Sequence, residues 1–242
     1  MSIAILLAAG KGTRMRSGLP KPIVPFMGKP IVAHIIESFK QAGISEVTLI
    51  VGYGAEHVKE KIGNNVTYVY QAEQKGTAHA VMQVPETSTV LNSNVFVFVG
   101  DSPLITADTI KKLESQHIKT GASCTFLTAQ FPIQLPYARV IRNDKGELIA
   151  CIEEKNATTE QLKVRELLTS HFIFKGDHLF KNLSEIKPDN DNGELYLTDI
   201  IGIMLAKNLK VEALQIDDYK ELVGLNTLED LQWAEAATRS RV

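Results

Sequence analysis

A short glycine-containing loop near the amino terminus has the composition of a phosphate-binding site. Residues 8–15 read AAGKGTRM, and such small residues let successive backbone amides come close to a phosphate. The spacing differs from that of a Walker loop, and Met15 stands where the dinucleotide fingerprint has its third glycine. Arg14 and Lys21 add positive charge, and a proline on each side of Lys21 stiffens the chain there. We therefore expect this loop to bind phosphates, with a simple tight turn as the alternative.

The distribution of charge points the same way. The net charge of −2 gives no reason to expect a nucleic-acid or membrane partner. No acidic residue precedes Glu37, however. Five basic residues occupy that stretch: Lys11, Arg14, Arg16, Lys21 and Lys29. This excess favours a site for a polyanion, with a solvated basic face as the alternative.

Apolar segments and helical periodicity alternate through the first half of the chain. The predicted strands are residues 2–7, 46–51, 66–71, 95–99, 137–142, 147–152, 167–174 and 209–216. The predicted helices are residues 30–42, 76–83, 194–207 and 227–237. This order predicts an α/β fold with a mostly parallel, mixed sheet and helices on both faces. No repeat or linker divides the sequence, so we expect residues 1–242 to form a single domain.

Polar groups follow three of the predicted strands, at residues 8–14, 71–77 and 100–101. In open parallel sheets, ligands bind outside the carboxyl ends of the strands. We therefore expect these three groups to meet in one crevice.

The composition is that of an ordinary globular protein, with 44% hydrophobic and 22% charged residues among 242. Cys124 and Cys151 alone form no disulfide framework, which favours a reduced, cytoplasmic protein. No apolar run reaches the length of a membrane span. The apolar segment Ile3–Ala9 lacks a preceding basic region, so we interpret it as a core strand rather than a signal peptide.

Residues 6–31, LLAAGKGTRMRSGLPKPIVPFMGKPI, resemble the signature of the sugar-nucleotide pyrophosphorylases. Within that group, the sequence is most similar to the uridylyltransferase domain of bifunctional N-acetylglucosamine-1-phosphate uridylyltransferases. Further similar segments follow in order at residues 71–81, 100–105, 152–158, 194–201 and 224–226. The resemblance covers nearly the whole chain. It implies a Rossmann-like nucleotidyltransferase fold that joins a sugar 1-phosphate to a nucleoside triphosphate and releases pyrophosphate.

The resemblance also implies roles for individual residues. The nucleotide-binding positions it implies are Leu7, Ala8, Ala9, Gly10, Gly12, Thr13, Gln71, Gly76, Thr77 and Gly100. Gln71 suits this role because its amide offers both a donor and an acceptor to a base edge, although a polar residue simply ending a strand is the alternative. Arg14 and Lys21 match catalytic cations that contact the phosphates. No protein nucleophile is needed, because the sugar phosphate is itself the nucleophile.

Asp101 and Asn226 match the metal ligands of the family, which implies Mg²⁺ as the cofactor. One carboxylate and one amide oxygen are a sufficient protein contribution, because Mg²⁺ takes much of its shell from phosphates and water. Asp101 as a turn residue and Asn226 as a helix cap are the alternatives.

Glu153 matches the sugar-hydroxyl contact of the family, with the adjacent Glu154 as its rival. Two other sugar-site positions depart from the pattern. Ala138 stands where the family usually has glycine, and Leu168 stands where it has asparagine. Leu168 cannot hydrogen-bond a sugar hydroxyl, so the departures argue against N-acetylglucosamine 1-phosphate as the substrate.

The leading hypothesis is a nucleotidyltransferase that uses UTP and a sugar 1-phosphate. One alternative is the same chemistry with GTP or CTP and another sugar phosphate. Another is a nucleotide- or sugar-phosphate-binding protein without turnover. Because the sequence ends at Val242 after the last helix, we expect no β-helix acetyltransferase domain, and a monomer or small homo-oligomer.

Overall fold

A computed structural model of the chain describes residues 1–188 and 193–239. The strands are β1 (Ser2–Ala8), β2 (Pro25–Phe26), β3 (Lys29–Pro30), β4 (Val47–Val51), β5 (Thr67–Tyr70), β6 (Asn94–Val99), β7 (Cys124–Gln130), β8 (Ala138–Arg142), β9 (Leu148–Ile152), β10 (Glu166–Lys175) and β11 (Val211–Ile216). The α-helices are α1 (Ile31–Gln41), α2 (Ala55–Ile62), α3 (Thr77–Val81), α4 (Ser88–Leu91), α5 (Ala107–Thr120), α6 (Gly176–Leu183), α7 (Asp199–Ala206) and α8 (Leu228–Arg239).

One mixed sheet organises the fold. Its main path runs β11-β7-β10-β6-β1-β4-β5, and β8 extends from β10 with β9 beside it. The strands β6, β1, β4 and β5 are parallel, so their carboxyl ends lie at one edge. The antiparallel strand β10 joins this half to β7 and the β8–β9 hairpin. The mostly parallel, mixed sheet predicted from the sequence is confirmed.

Both faces of the sheet are buried because apolar side chains occupy both sides of its central strands. In β6, Phe96 and Phe98 face one core, while Val95 and Val97 face the other. The first core contains Phe39 of α1, whose ring packs edge-to-face on Phe96 and Phe98 with centroids 5.3 and 5.0 Å away. Helices α1, α2 and α5 cover this face, and α3, α6 and α7 cover the opposite one. None of the helices in the described ranges is long and apolar enough to span a bilayer.

The last helix, α8, begins where the sequence predicts a capping box. The backbone N–H of Asp230 donates to Thr227 Oγ1 at 3.1 Å, and the N–H of Thr227 donates to Asp230 Oδ2 at 2.9 Å. These reciprocal bonds form a capping box that satisfies donors at the start of α8.

The helix predicted at residues 194–207 is shorter than expected. It begins at Asp199, because Leu195 instead hydrogen-bonds to the start of α3 and to the segment just before it. The N–H of Leu195 donates to the carbonyl of Lys75, and its carbonyl accepts from the N–H of Ala78, both at 2.9 Å. Sequence analysis assigned no element to the segments that form α2, α4, α5, α6 and β7.

Helix α5 carries a buried histidine whose pKa is lowered by its surroundings. His117 is 1% exposed, and its Nδ1 lies 2.9 Å from Thr125 Oγ1. Burial, and after it the charge of Lys175, lowers the pKa of His117 to about 4. In the unfolded chain the same group titrates near its ordinary value of about 6.5.

We expect the free energy of unfolding to fall as the pH drops from about 6.5 towards 4, because the unfolded chain then binds a proton that folded His117 does not. The contribution of this residue is at most about 1.4 kcal/mol per pH unit. Urea unfolding of His117→Gln between pH 7 and 4.5 should give a shallower pH dependence than the wild type. The exposed His57→Gln is the matched control. Equal slopes for His117→Gln and the wild type would contradict this assignment.

Candidate active site

The three predicted polar groups do meet in one cavity at the carboxyl edge of the parallel strands. The cavity has a volume of about 450 Å³. Gly10 and Arg14 reach it from the loop after β1, Gln71 and Thr77 from the segment after β5, and Asp101 from the end of β6. The convergence expected from the strand order is confirmed.

Opposite charges are concentrated in the wall of this cavity. Lys21 Nζ donates to Asp101 Oδ2 and, at 2.8 Å, to Asn226 Oδ1. Arg14 Nη2 donates to the same Asn226 oxygen at 2.8 Å. The Lys21 and Asp101 side chains are only 15% and 22% exposed, so their attraction is less screened than that of a surface pair. Two cations and two oxygen ligands from three distant parts of the chain thus form one cluster.

Two glycines explain why Lys21 lies where it does. Gly12 has φ +64°, and a methyl group there would overlap Lys21 Cβ. Gly54 has φ +65°, and a methyl group there would overlap Pro20 Cγ. The segment carrying Lys21 is therefore held between two backbones that approach closely because neither has a side chain.

A third glycine determines the position of Asp101. The carboxylate of Asp101 packs against Gly224, where an added Cβ would lie 2.8 Å from Oδ1. The N–H of Leu225 donates to the Asp101 carbonyl at 2.8 Å, and Asn226 Nδ2 donates to the Gly224 carbonyl at 2.9 Å. Asn226 Oδ1 is thereby turned towards Lys21 and Arg14. Asn226 does not serve as the helix cap that was its alternative role, because the side chain of Thr227 caps α8.

The donor set fits a magnesium ion. Asp101 Oδ2 and Asn226 Oδ1 both contact the single ammonium of Lys21, so they lie close enough to share one cation. A carboxylate and an amide oxygen are ligands that Mg²⁺ prefers, and it commonly takes only one or two from protein. The described residues contain no group of three or more histidine, cysteine or acidic side chains that could hold a metal alone. A metal at this site would therefore need ligands from bound phosphate or water.

Most of the predicted nucleotide positions line the cavity. They are Leu7, Ala8, Ala9, Gly10, Gln71, Gly76, Thr77 and Gly100. Gly12 and Thr13 are not among the lining residues: Gly12 packs against Lys21, and Thr13 begins the 3-10 helix Thr13–Met15. Gly76, with φ +103°, also has a packing reason to be glycine, because a side chain there would collide with the backbone of Leu195.

Gln71 is more constrained than the sequence indicates. It is 3% exposed, and its Nε2 lies 2.9 Å from His79 Nδ1 and 3.3 Å from the Gly76 carbonyl. Sequence reasoning missed Gln74, which also lines the cavity and donates to the Gln71 carbonyl at 3.0 Å. Two amide side chains thus lie near the predicted base position, and the Nε2 group of each is already hydrogen-bonded within the protein.

The predicted sugar residues lie beside the cavity rather than in its wall. Ala138 and Leu168 are cross-strand partners of β8 and β10, each 2% exposed within the second core. Glu153 follows β9 and is partly buried, whereas Glu154 is exposed. Burial raises the pKa of Glu153, and hydrogen bonding to the Thr198 side chain opposes this shift. Burial therefore favours Glu153 over Glu154 as the inward-facing carboxyl group.

Two cavity residues near Glu153 were missed because they were assigned to a helix. Glu194 and Tyr196 line the cavity, and the Tyr196 hydroxyl donates to Glu194 Oε2 at 2.5 Å. Lys155 Nζ lies 4.6 Å from the centre of the Tyr196 ring, within cation–π range. Residues 194–201 form one of the segments that resemble the pyrophosphorylase family, and this resemblance was the signal that could have identified both residues.

A second cavity of about 370 Å³ adjoins the first. The two cavities share Arg14, Asp101 and Asn226. Tyr137 and Ser170 contribute to the wall of the second cavity. The charged cluster consequently lies where two spaces adjoin.

A Rossmann-like sheet with such a cluster at its carboxyl edge defines a nucleotidyltransferase type of domain. The chain belongs to the family of MobA-like NTP transferase domains, whose model matches residues 4–172. It is 41% identical over 239 residues to the bifunctional protein GlmU of Staphylococcus haemolyticus and, equally, to that of Shouchella clausii. Each alignment covers 99% of this chain and 53% of the relative. The chain thus spans about half the length of these curated relatives.

Solved structures support the fold. A putative glucose-1-phosphate thymidylyltransferase from Bacillus anthracis has a TM-score of 0.79 at 20% identity, covering 99% of this chain and 96% of that one. A UDP-glucose pyrophosphorylase complexed with UDP-glucose has a TM-score of 0.74 at 20% identity, with both chains fully covered. The predicted Rossmann-like nucleotidyltransferase fold is confirmed.

Gly54 should influence the site although it lies outside the first cavity. We expect Gly54→Ala to weaken nucleoside triphosphate binding about tenfold, because the methyl group would push Pro20 and shift Lys21. Isothermal titration calorimetry measures this change.

Gly121→Ala is the matched control, since Gly121 has φ +63° and open space around its Cβ position. Both variants carry the backbone strain of alanine at positive φ, about 1 kcal/mol. If both bind nucleotide as the wild type does, Gly54 does not act through Lys21.

Proposed function

We propose that this protein transfers a nucleoside monophosphate from a nucleoside triphosphate to a sugar 1-phosphate and releases pyrophosphate. The observation that carries the proposal is the cluster of Arg14, Lys21, Asp101 and Asn226 between two adjoining cavities. Membership of the NTP transferase family and the 41% identity to GlmU proteins support it.

The reaction places negative charge on several phosphate oxygens at once. An oxygen of the sugar phosphate attacks the α-phosphorus, while the bond to the departing pyrophosphate breaks. Stabilising that charge is most of the catalysis in phosphoryl-type transfer. Arg14 and Lys21 are positioned to do so, because Arg14 lines both cavities and Lys21 lines the first, where both are already held by Asn226.

Mg²⁺ is the cofactor we propose, with Asp101 and Asn226 as its protein ligands. When bound, the metal supplies charge neutralisation and orientation of the phosphates. With those two oxygens engaged, the Lys21 ammonium becomes available to a phosphate oxygen.

We propose UTP as the nucleotide. Gln71, its neighbour Gln74 and the backbone of residues 7–10 line one side of the cavity, where they can contact a base and ribose. GTP or CTP with another sugar phosphate is the alternative that the substrate screen below distinguishes. The sugar is proposed to lie towards Glu153, Glu194 and Tyr196.

For this chain we propose a single domain over residues 1–242. The two unpaired cysteines, of which Cys124 is buried, fit a reduced cytoplasmic compartment. A monomer or small homo-oligomer remains our expectation for its assembly.

The test of the activity is a pyrophosphate-release screen with Mg²⁺, crossing four nucleoside triphosphates with hexose and aminohexose 1-phosphates. We expect one strong pair, with UTP, and loss of that signal in Asp101→Asn. Nucleotide binding without pyrophosphate release for any pair would indicate a binding protein and contradict the proposal.

Removing one cation should slow the reaction sharply. We expect Arg14→Ala to lower kcat about 10²-fold or more, by analogy with the loss of one transition-state donor. Arg16→Ala is the control, because Arg16 is an exposed basic residue of the same segment that does not line the first cavity. Steady-state kinetics on both variants checks this. Full activity in Arg14→Ala would mean that this guanidinium has no catalytic role.

The sugar preference should depend on the Ala138–Leu168 pair. We expect Ala138→Gly with Leu168→Asn to raise activity on N-acetylglucosamine 1-phosphate. Glycine at position 138 would let the sugar come closer to the backbone, and asparagine at position 168 would supply an amide that can hydrogen-bond a sugar hydroxyl. Stability should fall by about 1–3 kcal/mol, since Leu168 is buried.

Leu167→Asn is the matched control, since Leu167 is equally buried but packs in the first core. It should lose stability without changing the sugar preference. The same kinetic assay compares all three proteins, and an unchanged preference in the double variant would refute the role of this pair.

A further inference from the structure

One tyrosine outside the first cavity connects the hairpin of the predicted sugar site to the residues of the charged cluster. Tyr137 immediately precedes β8, whose first residue is Ala138. The backbone N–H of Gly224 donates to the Tyr137 hydroxyl oxygen at 3.0 Å. Gly224 in turn packs on the Asp101 carboxylate, and its carbonyl accepts from Asn226 Nδ2.

Tyr137 is itself firmly held. Its ring packs against Phe131 with centroids 5.8 Å apart, and Phe131 also packs against Tyr219 at 5.4 Å. The buried Arg139 donates through Nη1 to the carbonyl of Tyr137 and, at 2.9 Å, to that of Leu135. The hydroxyl is therefore a fixed point on which another segment can be aligned.

The segment that needs alignment is residues 223–226, which carries Asn226. It lies between a short 3-10 helix and α8, outside the strands of the sheet. Its backbone N–H groups donate to several neighbouring elements: Leu225 to the Asp101 carbonyl, Gly224 to the Tyr137 hydroxyl, and Asn226 to Asp230 Oδ2 of α8 at 2.7 Å. Of these, the bond to Tyr137 is the one that connects the segment to the sugar-side hairpin. Burial, followed by the charge of Asp101, raises the pKa of Tyr137, so the hydroxyl stays neutral.

We propose that Tyr137 is a positioning residue that sets the distance between Asn226 and Asp101 through Gly224, and so couples the sugar-side hairpin to the cation-binding oxygens. This inference rests on the proposed function, since it assigns a divalent cation to those two oxygens. Tyr137 acts through Gly224 and does not itself need to touch the cation.

The test uses Tyr137→Phe, which keeps the ring and removes only the oxygen that accepts from Gly224. We expect the affinity for Mn²⁺ in the presence of UTP to fall about tenfold, as is typical when a partner of a metal ligand is lost. The enhancement of water-proton relaxation by Mn²⁺, which distinguishes Mn²⁺–UTP bound to the protein from free Mn²⁺–UTP, measures this without turnover. In the pyrophosphate assay, the Mg²⁺ concentration for half-maximal rate should rise similarly, while KM for UTP stays within about twofold.

Tyr219→Phe is the matched control. Its ring packs on the same Phe131, and its hydroxyl makes no hydrogen bond to any residue in the described ranges. It should bind Mn²⁺ like the wild type.

Unchanged Mn²⁺ affinity in Tyr137→Phe would overturn the inference, and so would an equal loss in both variants or a lower unfolding midpoint without weaker Mn²⁺ binding. Mn²⁺ binding needs no catalysis, so weaker binding in Tyr137→Phe supports the inference even if the wild type releases no pyrophosphate. Absence of pyrophosphate release would contradict the proposed function alone.

Discussion

The interaction on which the site depends is the contact of the Lys21 ammonium with Asp101 and Asn226. It joins the loop after β1, the end of β6 and the segment before α8, which are far apart in sequence. Partly buried charges are costly unless they are paired, so removing Lys21 would leave the Asp101 carboxylate without its cation. The same electrostatic requirement that holds the three segments together therefore concentrates cations and oxygen ligands where phosphates can bind.

The fold satisfies this requirement through close backbone contacts. Parallel strands bring their carboxyl ends to one edge, but that alone places side chains only approximately. Gly12 and Gly54 let the Lys21 segment pack tightly, and Gly224 does the same for the carboxylate of Asp101. Each of these positions needs glycine because another segment of the same chain packs closely against it, and not because a ligand does. Precise placement of charge is what electrostatic catalysis needs, because donors fixed in advance require no rearrangement during the reaction.

Much of this arrangement was predictable from the sequence. The continuous apolar run of β6 followed by Gly100 and Asp101 indicated a buried strand that ends at a ligand site, and the capping box of α8 was readable from Thr227 and Asp230. The start of α7 was not, because the tertiary bridge of Leu195 to Lys75 and Ala78 overrides local helical preference. Glu194 and Tyr196 were missed for that reason. Likewise, local sequence gave no indication that Gly12 packs on Lys21, a contact between residues that no periodicity relates.

The most direct test of the central claim is exchange of labelled pyrophosphate into UTP in the presence of Mg²⁺. A centre that joins two bound substrates without a protein nucleophile predicts exchange only when the sugar 1-phosphate is also present. Exchange without the sugar phosphate would demonstrate a covalent nucleotidyl intermediate on the protein and contradict this account. Absence of exchange under both conditions, with UTP bound, would show that the cluster does not catalyse the transfer.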